Sequence, residues 1–186
     1  MEEVSSKLRQ RIFRKVAYFN VASYFMPPEQ SHWQEALNFL GIRGWPLEIV
    51  TVCTPAETVH TLLKSADVIY IEGGNPSFLM WWLERNNLTE ALREKILSGT
   101  PTIGASAGAM VLGQSVAISK LGKPWAQPLP VRNNMSGLGI LPESIWPHYG
   151  RKWWHPALRP LARTMSRSPV LRLRDGEFHY YNSVTL

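Results

Sequence analysis

Ser106 lies in the run Gly104-Ala105-Ser106-Ala107-Gly108, preceded by Thr102-Ile103 and followed by Ala109-Met110. An apolar run, a glycine-flanked serine and then a small-residue helix is the G-x-S-x-G order of a nucleophile elbow. A serine aimed out of the end of a sheet needs a strained backbone, and bulky neighbours would collide with the adjacent strand and helix. The N-terminus of the helix that follows offers N–H groups to a developing oxyanion. Glycine and alanine also crowd strand–helix turns for packing alone, so the pattern has a purely structural explanation beside the chemical one.

A serine nucleophile needs a base, an acid that orients the base, and an oxyanion hole. The chain has five histidines. His32 sits among polar neighbours on a predicted helix and reads as surface, and His60 reads as a structural mid-helix residue. His155 and His179 have no supporting context beyond aromatic neighbours. His148 lies in Ile145-Trp146-Pro147-His148-Tyr149-Gly150, just after a predicted strand end, and Pro147 restricts the backbone before it. It is the candidate base. Gly73-Gly74-Asn75-Pro76 is a second glycine turn that opens a helix. It is either an ordinary connection or a source of one N–H donor facing Ser106, with Ala107 supplying the other. Arg151 and Lys152 could hold a substrate carboxylate or form a plain basic loop. Asn75 is the other candidate substrate contact. Glu72 reads as a contact for a substrate amine or as a solvated strand-end carboxylate.

The elements that must position these residues follow from periodicity. Strands are predicted over Val16–Asn20, Leu47–Val52, Asp67–Glu72 and Thr102–Ala105. Helices are predicted over Glu29–Leu40, Ala56–Ala66, Pro76–Leu83 and Leu88–Leu97. This alternation implies a parallel sheet covered on both faces, with its site beyond the C-terminal ends of the strands. Beyond Gly113 the pattern weakens, and Pro124, Pro128 and Pro130 mark an irregular segment. A short strand is predicted over Gly137–Leu141 and a helix over Pro156–Ser166. A hairpin is predicted from Val170–Arg174 and Phe178–Tyr181 around Asp175-Gly176.

Composition excludes several classes. The chain has 186 residues, 45% hydrophobic and 18% charged, which predicts one globular domain over residues 1–186. The single cysteine, Cys53, allows no intrachain disulfide and fits a reducing compartment, so the expected location is cytoplasmic. The charged opening from Met1 to Lys15 does not read as a signal peptide, and the longest apolar run, Phe78–Leu83, is too short to span a bilayer. The net charge of +6 is read as solvated surface, because no helix-turn-helix, zinc-ligand spacing or RNP motif supports nucleic acid. Trp81-Trp82 and Trp153-Trp154 come in pairs, one of each expected to pack inward and the other to line a cleft or a contact in a homo-oligomer.

Three blocks occur in order: Asp67 to Pro76, then Gly99 to Met110, then Gly137-Leu138-Gly139-Ile140-Leu141-Pro142 with Pro147-His148-Tyr149. Together they resemble peptidase family S51, over roughly Lys15 to Tyr181. The resemblance implies a three-layer α/β/α sandwich with a mainly parallel sheet, class I glutamine amidotransferase-like, in which serine replaces cysteine at the elbow. It implies a serine peptidase acting on a small peptide through an acyl-enzyme, without cofactor or metal. Ser106 matches the nucleophile, His148 the base, and Gly74 and Ala107 the oxyanion donors. The family's acid commonly lies in a turn after the helix that follows the histidine, and Asp175 is the nearest match. Asp175-Gly176 also fits a hairpin tip, and Glu177 is close by. An acid that some members carry between nucleophile and histidine has no counterpart in Ala117–Val131. Members usually have a further strand and helix before the strand matched by Val16–Asn20, where this chain has a basic, helix-predicted segment. The alternative expectation is a degenerate scaffold with a binding or regulatory role.

Overall fold

A computed structural model describes residues 15–24, 46–121, 135–151 and 158–181. Four short strands form one parallel sheet: β1 (Val16–Phe19), β2 (Leu47–Val50), β3 (Val68–Ile71) and β4 (Thr102–Gly104). Their order is β2-β1-β3-β4. Val16 stands opposite Leu47 on one side and Val68 on the other, and Ile71 stands opposite Gly104. β1 and β3 are unbroken apolar runs, Val-Ala-Tyr-Phe and Val-Ile-Tyr-Ile, and every residue in them is buried. That is the composition inner parallel strands require, since both of their faces are covered.

α1 (Ala56–Ser65) buries Val59, Leu62 and Leu63, at the spacing of one helical face. α2 (Pro76–Arg85) begins with proline at its first turn and a side-chain cap from Asn75, whose Oδ1 accepts from Phe78 N at 3.0 Å. α3 (Thr89–Leu97) buries Leu92 and Ile96, and α4 (Ala107–Leu112) leaves directly from the end of β4. These helices form one core with Ala17, Phe19, Ile69 and Ile71 of the sheet. The opposite sheet face carries Val16, Tyr18, Val68 and Tyr70, which are also buried. The predicted helix over Glu29–Leu40 and the proline-marked segment around Pro128 lie outside the described residues.

β5 (Ser144–Trp146) and β6 (Val170–Arg172) form a separate parallel pair, with α5 (Leu158–Ser166) between them in the chain. This corrects two expectations. Val170–Arg174 is not one arm of a hairpin: β6 pairs with β5 in parallel, and Phe178–Tyr181 forms no strand. The predicted strand at Gly137–Leu141 is instead an irregular segment bonded to the end of α4, with Leu138 N donating to Val111 O at 2.7 Å and Ile140 N to Leu112 O at 3.0 Å. Backbone crowding explains it, because a Cβ on Gly137 would lie 2.2 Å from Gly113 O. Among the described residues no helix is long and apolar enough to cross a membrane.

Candidate active site

β3 and β4 end side by side, and Ala105 N donates to Ile71 O at 2.9 Å before the chain turns. Ser106 occupies the turn with φ 50° and ψ −104°, a region that L side chains rarely adopt. Both flanking glycines are sterically required. A Cβ on Gly104 would lie 2.8 Å from Ala109 N, and one on Gly108 would lie 2.1 Å from Ile71 O. α4 therefore packs directly on β3, and the serine is lifted out of the sheet end.

His148 comes from the turn after β5 and also has a positive φ, 57°. Its Nε2 lies 2.8 Å from Ser106 Oγ. Its Nδ1 lies 2.6 Å from Asp175 Oδ1. The pairing of β5 with β6 delivers this contact. Beyond the register Trp146–Arg172, Leu173 N donates to Trp146 O at 3.0 Å and Tyr149 N donates to Leu173 O at 2.9 Å. The two strands thus release His148 and Asp175 at the same end. An ionised carboxylate only accepts hydrogen bonds, so Asp175 selects the tautomer with Nδ1 protonated. Nε2 is then the acceptor of the Ser106 hydroxyl.

Arg151 completes the row: its Nε donates to Asp175 Oδ2 at 2.5 Å. The guanidinium, followed by the histidine, holds the Asp175 carboxyl below the ordinary carboxylate range, against the opposing effect of partial burial. The Asp175 side chain is 49% exposed and that of His148 30%. Residue types and spacing did not show the Arg151–Asp175 pair. Its signal was an arginine three residues after the histidine, close enough for one turn to present both.

The other candidates fall as follows. Glu177 accepts from Arg174 N at 2.7 Å and closes its own turn. Asn75 spends its Oδ1 on capping α2. The Gly73-Gly74 turn lies against the serine, since a Cβ on Gly73 would sit 3.3 Å from Ser106 Cβ. The N–H groups of Gly74 and Ala107 donate to no other atom among the described residues. Glu72 is neither a solvated nor an open carboxylate: it is 3% exposed and accepts from Asn20 and Ser23. His179 packs on Tyr181 with ring centroids 4.7 Å apart. Trp82 is buried, with Nε1 donating to Val52 O at 3.2 Å, and Trp81 is half-buried against Phe78. His32, Lys152, Trp153, Trp154 and His155 lie outside the described residues.

The fold is shared with two solved structures. A candidate peptidase E protein from Listeria monocytogenes EGD-e superposes with TM-score 0.70 at 20% identity, covering 91% of this chain and 83% of the other. A peptidase from an acI-B1 actinobacterium superposes with TM-score 0.66 at 21% identity, covering 93% and 72%. In sequence, Haemophilus influenzae peptidase E is 34% identical over 134 residues, which is 72% of this chain and 56% of that protein. Peptidase E of Actinobacillus pleuropneumoniae serotype 5b is 35% identical over 108 residues, 58% of this chain and 44% of that protein. The chain spans about half the length of the curated relatives it matches. The family model of Peptidase family S51 matches residues 3–183, nearly the whole sequence, and the chain belongs to that family.

Proposed function

We propose that this protein is a serine hydrolase that cleaves a peptide or related amide bond in a small peptide, through an acyl-enzyme at Ser106. The observation that carries the reading is the unbroken row Ser106 Oγ–His148 Nε2–His148 Nδ1–Asp175, with separations of 2.8 Å and 2.6 Å. Ser106 Oγ attacks the carbonyl carbon while His148 Nε2 takes its proton. Asp175 stabilises the imidazolium that results and keeps the ring oriented. The N–H groups of Gly74 and Ala107 donate to the oxyanion. His148 then returns the proton to the leaving amine, and water, activated by the same nitrogen, releases the acyl group. No step requires a metal or a cofactor.

Arg151 has guanidinium donors besides the Nε committed to Asp175, and its side chain is 48% exposed, so it suits a substrate carboxylate at the rim. Any substrate contact by Asn75 falls to its Nδ2. The exposed thiol of Cys53 fits a reducing location, the cytoplasm.

A fluorophosphonate probe tests the reading, since it needs an activated serine. Wild-type protein should be labelled once, at Ser106, and Ser106→Ala should take no label while keeping its fold. His148→Ala should slow labelling by about 10²–10⁴-fold, the range for loss of a positioned base. Full labelling of Ser106→Ala would place the reactive serine elsewhere. A folded wild type that takes no label would favour the degenerate, ligand-binding scaffold.

A further inference from the structure

We propose that Glu72 is a positioning residue: its buried carboxylate ties the turn after β1 to the Gly73-Gly74 turn and so fixes the Gly74 N–H beside Ser106. The inference rests on the reading of Ser106 as nucleophile and Gly74 as an oxyanion donor.

The chain turns sharply after β1, through one 3-10 turn at Val21–Ser23. This turn and the Gly73-Gly74 turn are joined at two points. On one side Asn75 N donates to Ala22 O at 2.8 Å. On the other, both Asn20 Nδ2 and Ser23 Oγ donate to the same Glu72 oxygen, Oε2, at 2.6 Å and 3.0 Å. The single Ser23 hydroxyl hydrogen is shared with Asn20 O, 2.9 Å from Oγ, in a three-centre bond that links the two donors. Gly73 and Gly74 lie between the two attachments. Gly74 has φ 131°, and a Cβ there would lie 2.1 Å from Ala22 O, so the backing turn is in direct contact with it. On the other side a Cβ on Gly73 would lie 3.3 Å from Ser106 Cβ, so this turn borders the serine.

The position is costly for a carboxylate. Glu72 is 3% exposed and Ser23 6% exposed, at the sheet end where an apolar residue would avoid the desolvation of a charge. Tyr18 and Tyr70 stack on the same sheet face with centroids 4.9 Å apart. Burial first and the Glu72 charge second push both phenols up, Tyr70 to about 12. What the carboxylate supplies is an acceptor for two donors at once, in the residue directly before a pair of glycines. Glycines left untethered have more backbone freedom than any other residue, and a donor that wanders does not stabilise an oxyanion. The place in the fold suits this role. β1 and β3 flank the point where the strand order reverses, the crevice where open parallel sheets carry their sites.

Phosphonylation of Ser106 forms a tetrahedral centre whose oxygen occupies the oxyanion hole, so its rate reports the tether. The experiment measures KI and the maximal rate of fluorophosphonate labelling for wild type, Glu72→Ala, Glu72→Gln and Ser23→Ala. It also measures peptide-level hydrogen exchange over residues 20–24 and 72–76. Deleting an oxyanion donor costs about 10²–10³-fold, so displacing one through Glu72→Ala should lower the maximal rate about 10–100-fold, with KI within about threefold. Glu72→Gln keeps an oxygen that accepts both bonds and should restore the rate to within about fivefold of wild type. Exchange should rise over the two turns and stay unchanged in the sheet. An unchanged rate in folded Glu72→Ala overturns the proposal, and so does a Gln variant as slow as the Ala variant. If Glu72→Ala does not fold, Ser23→Ala removes one of the two bonds and must slow labelling in the same direction; an unchanged rate there overturns the tether. If wild type takes no label at Ser106, the nucleophile reading falls separately. Exchange alone then decides whether Glu72 holds the turn, and no rise over 72–76 refutes it.

Discussion

Gly108→Ala tests whether the close approach of α4 to β3 holds the elbow. The added Cβ would lie 2.1 Å from the carbonyl oxygen of Ile71 and 2.7 Å from its carbonyl carbon. Close carbon–oxygen contacts in proteins run at about 3.3–3.6 Å, so the two backbones must separate by roughly 1 Å. Neither atom is the end of a flexible side chain. Ile71 is held in register with Gly104, and its oxygen accepts Ala105 N at 2.9 Å. α4 must therefore move, and with it the buried Met110 and Val111. Overpacking of this kind costs about 1–3 kcal/mol. Ser106 lies two residues upstream, and a retreat of that size carries its 2.8 Å contact with His148 beyond hydrogen-bond range. A misplacement of about 1 Å costs on the order of 10²-fold in rate. Urea denaturation should show a lowered midpoint worth about 2 kcal/mol. Labelling of Ser106 in the still-folded variant should slow about 100-fold. A Gly108→Ala protein with the wild-type midpoint and the wild-type labelling rate would refute the argument.

Further outcomes follow from the same geometry. Ser106→Gly should be more stable than Ser106→Ala by about 1 kcal/mol, the reverse of the usual ranking, because only glycine adopts φ 50° and ψ −104° without strain; thermal melts that rank alanine higher would contradict the strained elbow. Asp175→Asn should lower turnover by about 10²–10⁴-fold yet change stability by less than about 1 kcal/mol, since the acid is half exposed. Stability and activity lost together would instead make Asp175 a structural residue. The folded-state pKa of Asp175 is lowered, chiefly by Arg151, so its small stabilising contribution is present above the ordinary carboxylate range and lost as pH falls through the folded value. The stability difference between wild type and Asp175→Asn should therefore be constant near neutrality and vanish in acid. A difference that grows in acid would reverse the assigned sign.

What the sequence by itself determined is local. Val16–Asn20 and Asp67–Glu72 were legible as strands of a covered parallel sheet, because short apolar runs with β-branched and aromatic residues alternate there with helical patterns. The elbow was legible for the same kind of reason: a strand, a strained turn and a helix within nine residues leave room only for glycine two positions to either side of the serine. His148 stood out because proline and aromatic neighbours constrain its backbone. What only the tertiary structure decided is which distant segments meet. Asp175-Gly176 reads equally as a hairpin tip, and that reading was wrong because β6 takes its partner from β5, with α5 between them in the chain. Pairing across such a distance depends on how α5 packs, which residue spacing does not encode. The burial of Glu72 was not legible for a related reason. A strand-end glutamate is ordinarily hydrated, and only the return of the Asn20–Ser23 turn, about 50 residues earlier in the chain, buries it and supplies its two donors. Local chemistry constrains which residues can act, while the long-range pairings of β5 with β6 and of β1 with β3 decide which of them are brought within reach.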